Sequence, residues 1–126
     1  AYTGRSNDGF ITTIKVSADG KTITQPKKIE HDTANAAGSR LVKVDSDTYA
    51  LYYYSDGTYV KTFDIPADGS TITEVAKVKS PTSINMGTVY MGDFIKSDQG
   101  FYIAASTYSN NANVTTWTIS EKTSST

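Results

Sequence analysis

The stretch "SADGKTIT", Ser17–Thr24, returns 49 residues later as "PADGSTIT", Pro66–Thr73. In both copies an Asp-Gly pair stands between residues that favour extended structure. Asp-Gly in this setting predicts a tight hairpin turn, because Gly accepts the positive φ that the favoured turns require. We therefore predict equivalent turns at Ala18-Asp19-Gly20 and Ala67-Asp68-Gly69.

The similarity extends well beyond this phrase. Asn7–Thr24 aligns with Ser55–Thr73, and a weaker third copy begins at Asn113. A second repeated element begins at Arg40 and again at Asp93. Together they define a unit of roughly 50 residues with four predicted strands. The first strand of the unit is expected near residues 40–44 and 94–97, and the second near 48–54 and 101–108. The third is expected near 10–16, 59–65 and 114–119, and the fourth near 22–29 and 71–78.

The composition favours strands throughout the chain. Among 126 residues there are only two Leu, while there are nine Tyr and many Ile, Val and Thr. Leu is a strong helix former, whereas β-branched and aromatic residues suit a pleated sheet. We therefore predict an all-β protein.

A unit of four antiparallel strands at this period is the signature of a β-propeller blade. The predicted strands carry apolar residues on both faces, as expected when each sheet packs between two neighbours. We predict about two and a half blades: a partial blade over residues 1–38, a complete blade over 39–91 and a partial blade over 92–126. The alternative is a free-standing β-sandwich or small barrel.

Three phrases carry a resemblance to known proteins. "EHDT" (Glu30–Thr33), "LVKVDSDTYAL" (Leu41–Leu51) and "DGFITTIKVSADGKTIT" (Asp8–Thr24) resemble exported tandem-repeat proteins of the β-propeller type. The resemblance covers nearly the whole chain and says nothing about activity. It implies that "AYTG" at the N-terminus is the tail of a second blade strand.

Charge and composition exclude several functions. The formal net charge is −1 and there is no basic stripe, so nucleic-acid binding has no electrostatic support. No apolar run is long enough to predict membrane insertion. The absence of Cys removes disulfides and thiolate chemistry. A surface rich in Ser, Thr, Asn, Asp and Gly favours an extracellular or cell-surface location.

His31 and Asp32 are one pair of candidate binding residues. A His-Asp pair can act as base and orienter when a nucleophile lies nearby. The alternative, which we favour, is a structural tether at the junction of two blades. The corresponding position of the second copy does not carry this pair, which weakens a chemical role.

The tyrosines form the second candidate site. Tyr52, Tyr53 and Tyr54 follow one another in a predicted strand, and Tyr59 lies across the next turn. A tyrosine combines an apolar ring with a polar tip, which suits a glycan or protein surface. The alternative is that these rings pack between blades.

The Asp-rich turn at Asp45–Asp47 could place oxygen ligands around Ca²⁺, but its ligand density is low and a hairpin turn is favoured. We predict no metal, no cofactor and no catalytic residue. The predicted function is a non-catalytic repeat or binding module that presents loops to a protein or glycan. The alternatives are part of a propeller hydrolase or lyase with its active site elsewhere, and a carbohydrate-binding sandwich.

Two further expectations concern packing. Both ends of the repeat array lack strand partners, since only "EKTSST" follows the last predicted strand, so we expect further blades or copies of the chain as partners. The expected core consists of Ile14, Val16, Leu41, Leu51, Phe63, Ile65, Phe94, Ile103, Trp117 and Ile119.

Overall fold

The fold is described from a computed structural model, which covers residues 1–80, 89–108 and 111–122. The last four residues of the polar segment 121–126 therefore lie outside the described part. Within the described residues, strands make up 59% and helix 3%, so the all-β prediction is confirmed. One 3-10 turn, Arg5–Asn7, interrupts the strands. The strands are β1 (Tyr2–Thr3), β2 (Gly9–Thr12), β3 (Lys15–Val16), β4 (Ile23–Thr24), β5 (Lys28–Asp32), β6 (Ala37–Lys43), β7 (Thr48–Tyr54), β8 (Thr58–Asp64), β9 (Thr73–Lys79), β10 (Val89–Lys96), β11 (Phe101–Tyr108) and β12 (Asn111–Thr118).

These strands form three main antiparallel sheets. We call them the first sheet (β1-β2-β5), the middle sheet (β6-β7-β8-β9) and the third sheet (β10-β11-β12), and β3 and β4 form a separate two-stranded hairpin. Neighbouring strands in the middle and third sheets are also neighbours in sequence, because short turns join antiparallel strands. Within the described residues, none of the sheets closes into a barrel.

The two copies of the opening phrase form the same turn. Gly20 has φ 70° and Gly69 has φ 67°. The Gly20 amide donates to the Ser17 carbonyl at 2.9 Å, and the Gly69 amide donates to the Pro66 carbonyl at 2.8 Å. The turns connect β3 to β4 and β8 to β9. The prediction of equivalent turns is confirmed.

Two apolar clusters hold the sheets face to face. One cluster lies between the first and middle sheets and consists of Ile11, Ala36, Leu51, Tyr53, Tyr59, Phe63, Ile65 and Ile72. The other lies between the middle and third sheets and consists of Val44, Ala50, Tyr52, Tyr54, Val60, Met91, Phe94, Tyr102 and Ala104. Alternate residues of β7 enter opposite clusters, as the two-residue period of a strand requires. The strand β7 is therefore buried on both faces, whereas β9 is exposed along its length.

The predicted core is confirmed in part. Leu51, Phe63, Ile65 and Phe94 are buried. Trp117, Ile119 and Ile103 are half-buried. The prediction is wrong for three residues: Ile14 is 63% exposed, Val16 is 54% exposed and Leu41 is 37% exposed. These three residues continue the apolar sequence pattern of their predicted strands. Phe63 and Ile65 are covered by the first sheet, but among the described residues no sheet covers Ile14, Val16 or Leu41 in this way.

Candidate binding surfaces

The predicted pair His31 and Asp32 ends β5 and faces the middle sheet. The Tyr53 hydroxyl donates a hydrogen bond of 2.7 Å to Asp32 Oδ2. Lys61 Nζ donates to the His31 carbonyl and, at 2.9 Å, to Glu74 Oε2. These contacts form a polar cluster between two sheets, which we call the inter-sheet cluster.

The His31 side chain is the central ring of this cluster. It meets the Tyr53 ring edge-on, with centroids 4.9 Å apart. Gly9 lies against its other side, since a Cβ at Gly9 would stand 2.5 Å from His31 Nε2. Burial, and secondarily the charge of Lys61, lowers the pKa of His31 to about 4. The ring is therefore neutral at pH 7 and fills the space between the sheets.

Asp32 and Tyr53 keep the protonation states that their hydrogen bond requires. Burial raises the pKa of Asp32, but donors from Tyr53 and the Ala34 amide, with Lys77 and Lys61, outweigh it and hold the pKa below its usual value. Burial, and then the bond to Asp32, raises the pKa of Tyr53. Tyr53 thus donates and the Asp32 carboxylate accepts.

The contacts of the inter-sheet cluster are those of a tether. His31 has no hydroxyl partner among the described residues, and both ring nitrogens lack a hydrogen-bond partner there. A base needs a nucleophile or a substrate proton within hydrogen-bond reach. Asp32 and Lys61 instead bind across the interface, which fixes the two sheets against each other, while Glu74 pairs with Lys61 within the middle sheet.

The four candidate tyrosines all lie between sheets. Tyr52 and Tyr54 enter the cluster under the third sheet, and Tyr53 and Tyr59 enter the cluster under the first. The Tyr59 hydroxyl donates to Asp56 Oδ1 at 2.5 Å. All four rings are buried, so none presents a face to a ligand while the sheets are packed. The contacts of the four rings are therefore those expected of side chains that pack between sheets.

An open cleft lies beside these buried groups, between the first and middle sheets. Its volume is about 340 Å³, and Leu41 and Tyr49 of the middle sheet form one wall. Thr12, Thr13 and Lys15 come from the other side. Pockets that hold small ligands begin near this size. The cleft therefore offers an aromatic ring, hydroxyl groups and an amine in one concave space.

The second copy of the repeated turn forms the rim of the cleft. Thr13 Oγ1 donates to the Gly69 carbonyl at 2.8 Å, which ties the turn to the first sheet. Hydrogen bonds from the amide and hydroxyl of Ser70 lower the pKa of Asp68. Asp68 thus adds a fixed, ionised carboxylate to the cleft wall.

Sequence reasoning did not separate Tyr49 from the other tyrosines of its strand and did not assign Asp68 to a binding site. Tyr49 belongs to the same tyrosine run as its buried neighbours, and Asp68 is a turn residue. In the third sheet, the counterpart Tyr102 is buried against the middle sheet. Tyr49 remains accessible because the described first sheet has no strand in the position of β6, and its β1 has only two residues. Nothing in the sequence around Tyr49 and Tyr102 indicates that one is covered by a neighbouring sheet and the other is not.

A smaller groove of about 260 Å³ lies between β9 and the end of β12. It is lined mainly by apolar side chains, among them Val75, Val78, Trp117 and Ile119. Val75 and Val78 are exposed. Its charged lining residues, Asp64 and Lys122, pair with each other at 2.8 Å.

The Asp-rich turn is occupied by protein contacts. Asp45 Oδ1 accepts the amides of Asp47 and Thr48, and Asp45 Oδ2 accepts the Lys122 amide at 3.0 Å. Lys122 Nζ pairs with Asp47 and Asp64. In the described ranges no three acidic, His or Cys side chains gather as a metal site. Within the same ranges, no helix has the length and apolar character to cross a membrane.

Comparison with known proteins adds no relative: no protein-family model, no curated protein and no solved structure matches this chain.

Proposed function

We propose that this chain is a non-catalytic binding module of a β-propeller-type repeat protein, and that it binds a glycan in the cleft between its first and middle sheets. The observation that carries the proposal is the cleft itself, with Tyr49 in one wall, Thr13 on the other side and Asp68 at the rim. Sugars offer apolar ring faces and many hydroxyl groups. An aromatic side chain suits the former, and hydroxyl and carboxylate groups suit the latter.

The placement of the ionisable groups supports binding over catalysis. Asp32, Lys61 and Glu74 bond within the inter-sheet cluster rather than lining the cleft. Asp68 is the one carboxylate among the cleft-lining residues, whereas glycoside hydrolysis needs two facing carboxyl groups. A rigid tether behind an open cleft suits recognition, because a preformed site loses little entropy on binding.

The stacking of the sheets supports the propeller-type architecture. The four-stranded middle sheet packs face to face with a sheet on either side, as a blade does between its neighbours. In this proposal the chain contributes about two and a half blades, and its partners are further blades or copies of itself. The composition, rich in Ser, Thr, Asn, Asp and Gly with few charges, favours a place outside the cell.

The proposal is tested by titrating the protein with cellobiose, lactose, maltose and chitobiose while recording amide NMR spectra. We expect at least one disaccharide to shift the amides of Thr13, Tyr49 and Gly69. Tyr49→Ala should then raise its Kd by roughly tenfold, equal to about 1.4 kcal/mol.

The repeat supplies a matched control for the carboxylate. Asp68→Asn should weaken binding, while Asp19→Asn alters the corresponding turn in the other copy, outside the cleft lining. Equal effects of the two substitutions, or no shift at the cleft by any of the four sugars, would contradict the proposal.

A further inference from the structure

The middle sheet already shows which of its faces forms an interface with the first sheet. On that face, Tyr53 and Tyr59 stack with ring centroids 5.6 Å apart. Lys77 Nζ lies 4.3 Å from the centroid of the Tyr59 ring. The first sheet covers both rings, and both are buried. This arrangement is thus a packed contact between two units of the repeat.

The first sheet carries the same arrangement on its outer face. Tyr2 and Phe10 stack with centroids 5.5 Å apart, and Lys28 Nζ lies 4.5 Å from the Phe10 centroid. In the repeat alignment, Phe10 and Lys28 correspond to Tyr59 and Lys77. Because Ile11 is buried toward the middle sheet, its neighbour Phe10 points away from that sheet. Tyr2 is 39% exposed.

The third sheet leaves an apolar face exposed at the opposite end. Tyr102 and Ala104 pack against the middle sheet, so Ile103 lies on the other face. Ile95 pairs with Ile103 in register, and it is 52% exposed. Val114, in register with Ala105, is 69% exposed. The corresponding face of the middle sheet is the one that the third sheet covers.

We infer that two copies of this chain close head to tail, with the outer face of the third sheet of one copy packed on the Tyr2–Phe10 face of the first sheet of the other. The contact would continue the face-to-face stacking that joins the three sheets within one chain. It would bury apolar and hydroxyl side chains against two aromatic rings. Glu30, in register with Phe10, lies on the same face two residues from Lys28, so one carboxylate and one amine of that face belong to the contact. The inference rests on the proposed repeat architecture and is independent of a ligand in the cleft.

The number of sheets favours a closed dimer. Each copy has three sheets but only about two and a half blades' worth of strands, because the first and third sheets have three strands each. Two copies therefore make a ring of six sheets, and propellers typically have about four to eight blades. A contact between two different faces forms either a closed ring or an open fibre, according to whether its rotation closes. A ring of two copies leaves neither apolar face exposed.

Sedimentation velocity on the full chain tests this inference. We expect a dimer of twice the 13.6 kDa chain mass, with dissociation on dilution. Tyr2→Asp and Val114→Asp each place a carboxylate in the contact and should raise the dimer Kd on the order of a hundredfold. A mixture of the two variants should recover dimers, because one of the two contacts then joins unaltered faces.

Val75→Asp is the matched control, since Val75 is similarly exposed but lies in the groove between β9 and β12. It should leave the dimer intact. Circular dichroism establishes that each variant is folded, and hydrogen exchange provides a second readout on the unaltered chain: amides of residues 9–12 and 103–105 should gain protection as concentration rises. A monomer at all concentrations, or a dimer that survives both Tyr2→Asp and Val114→Asp, would overturn the inference. Disaccharide binding in the cleft is measured separately and does not decide it.

Discussion

Two copies of one phrase, Ser17–Thr24 and Pro66–Thr73, have the same turn but different surroundings. In both, an Asp carboxylate accepts the amide two residues later and a Gly adopts positive φ. Val16, just before the first copy, is 54% exposed, whereas its counterpart Ile65 is 8% exposed. The repeated sequence therefore determines the turn, whereas the burial of the residues beside the turn depends on whether another sheet lies over them.

The largest change in stability is expected when the apolar residue at one aligned position is replaced in each copy in turn. Phe63→Ala removes a fully buried ring and should lower the free energy of unfolding by about 3–5 kcal/mol. Ile14→Ala, at the corresponding exposed position, should change it by less than about 0.5 kcal/mol. Urea denaturation followed by circular dichroism measures both. Similar losses would show that Ile14 is covered in solution.

The pH dependence of stability sharpens the comparison, because His31 belongs to the sheet that covers the second copy. The pKa of His31 is about 4 in the folded protein and 6.5 in the reference state. The unfolded chain therefore takes up a proton as the pH falls below 6.5, and the folded protein resists it. Stability is full above this pH and declines toward pH 4, by about 3 kcal/mol.

His31→Phe keeps a ring in the same space and removes the titrating group. It should flatten the stability curve between pH 6.5 and about 4. Loss of stability at still lower pH should remain, because Asp32 also has a lowered pKa and must be protonated there. An unchanged curve in the upper window would contradict the buried, neutral state of His31.

A smaller effect is expected from one hydroxyl group. Tyr53→Phe removes the 2.7 Å hydrogen bond to Asp32 and should cost about 1–2 kcal/mol, since the carboxylate loses a donor in a buried place. Tyr2→Phe is the matched change on the exposed face of the first sheet and should be nearly neutral. Thermal unfolding of the two variants measures both losses of stability. A larger loss for Tyr53→Phe would show that burial under a neighbouring sheet gives the hydroxyl its contribution.

The smallest losses of stability are expected from substitutions in the turn that both copies form. Gly20→Ala and Gly69→Ala each force a residue with Cβ into positive φ, at a cost of about 1 kcal/mol. Gly69→Ala should cost slightly more, because its Cβ would stand 3.0 Å from Thr13 Cβ, while Gly20 has open space around it. Chemical denaturation of both variants measures the difference. A large cost at Gly20 alone would break the comparison.

Most of the local structure could be predicted from the sequence, although the strands expected near 10–16 and 22–29 are each divided in two. The Asp-Gly turns follow from backbone sterics, and the strands follow from β-branched and aromatic residues between those turns. The aligned repeats also placed β7 and β11, and β8 and β12, in corresponding positions. Such features depend on neighbours along the chain, which the sequence displays directly.

Which apolar residues are covered, and where the cleft lies, depends on how the sheets pack against one another. Leu41 and Phe94 are aligned, yet Phe94 is buried beneath the middle sheet and Leu41 opens onto the cleft. Likewise, Tyr53 is a buried donor to Asp32, while Tyr49 in the same strand lines the cleft. The physical reason is that burial is a property of two surfaces, and a repeat written in one strand does not specify what the next sheet places against it.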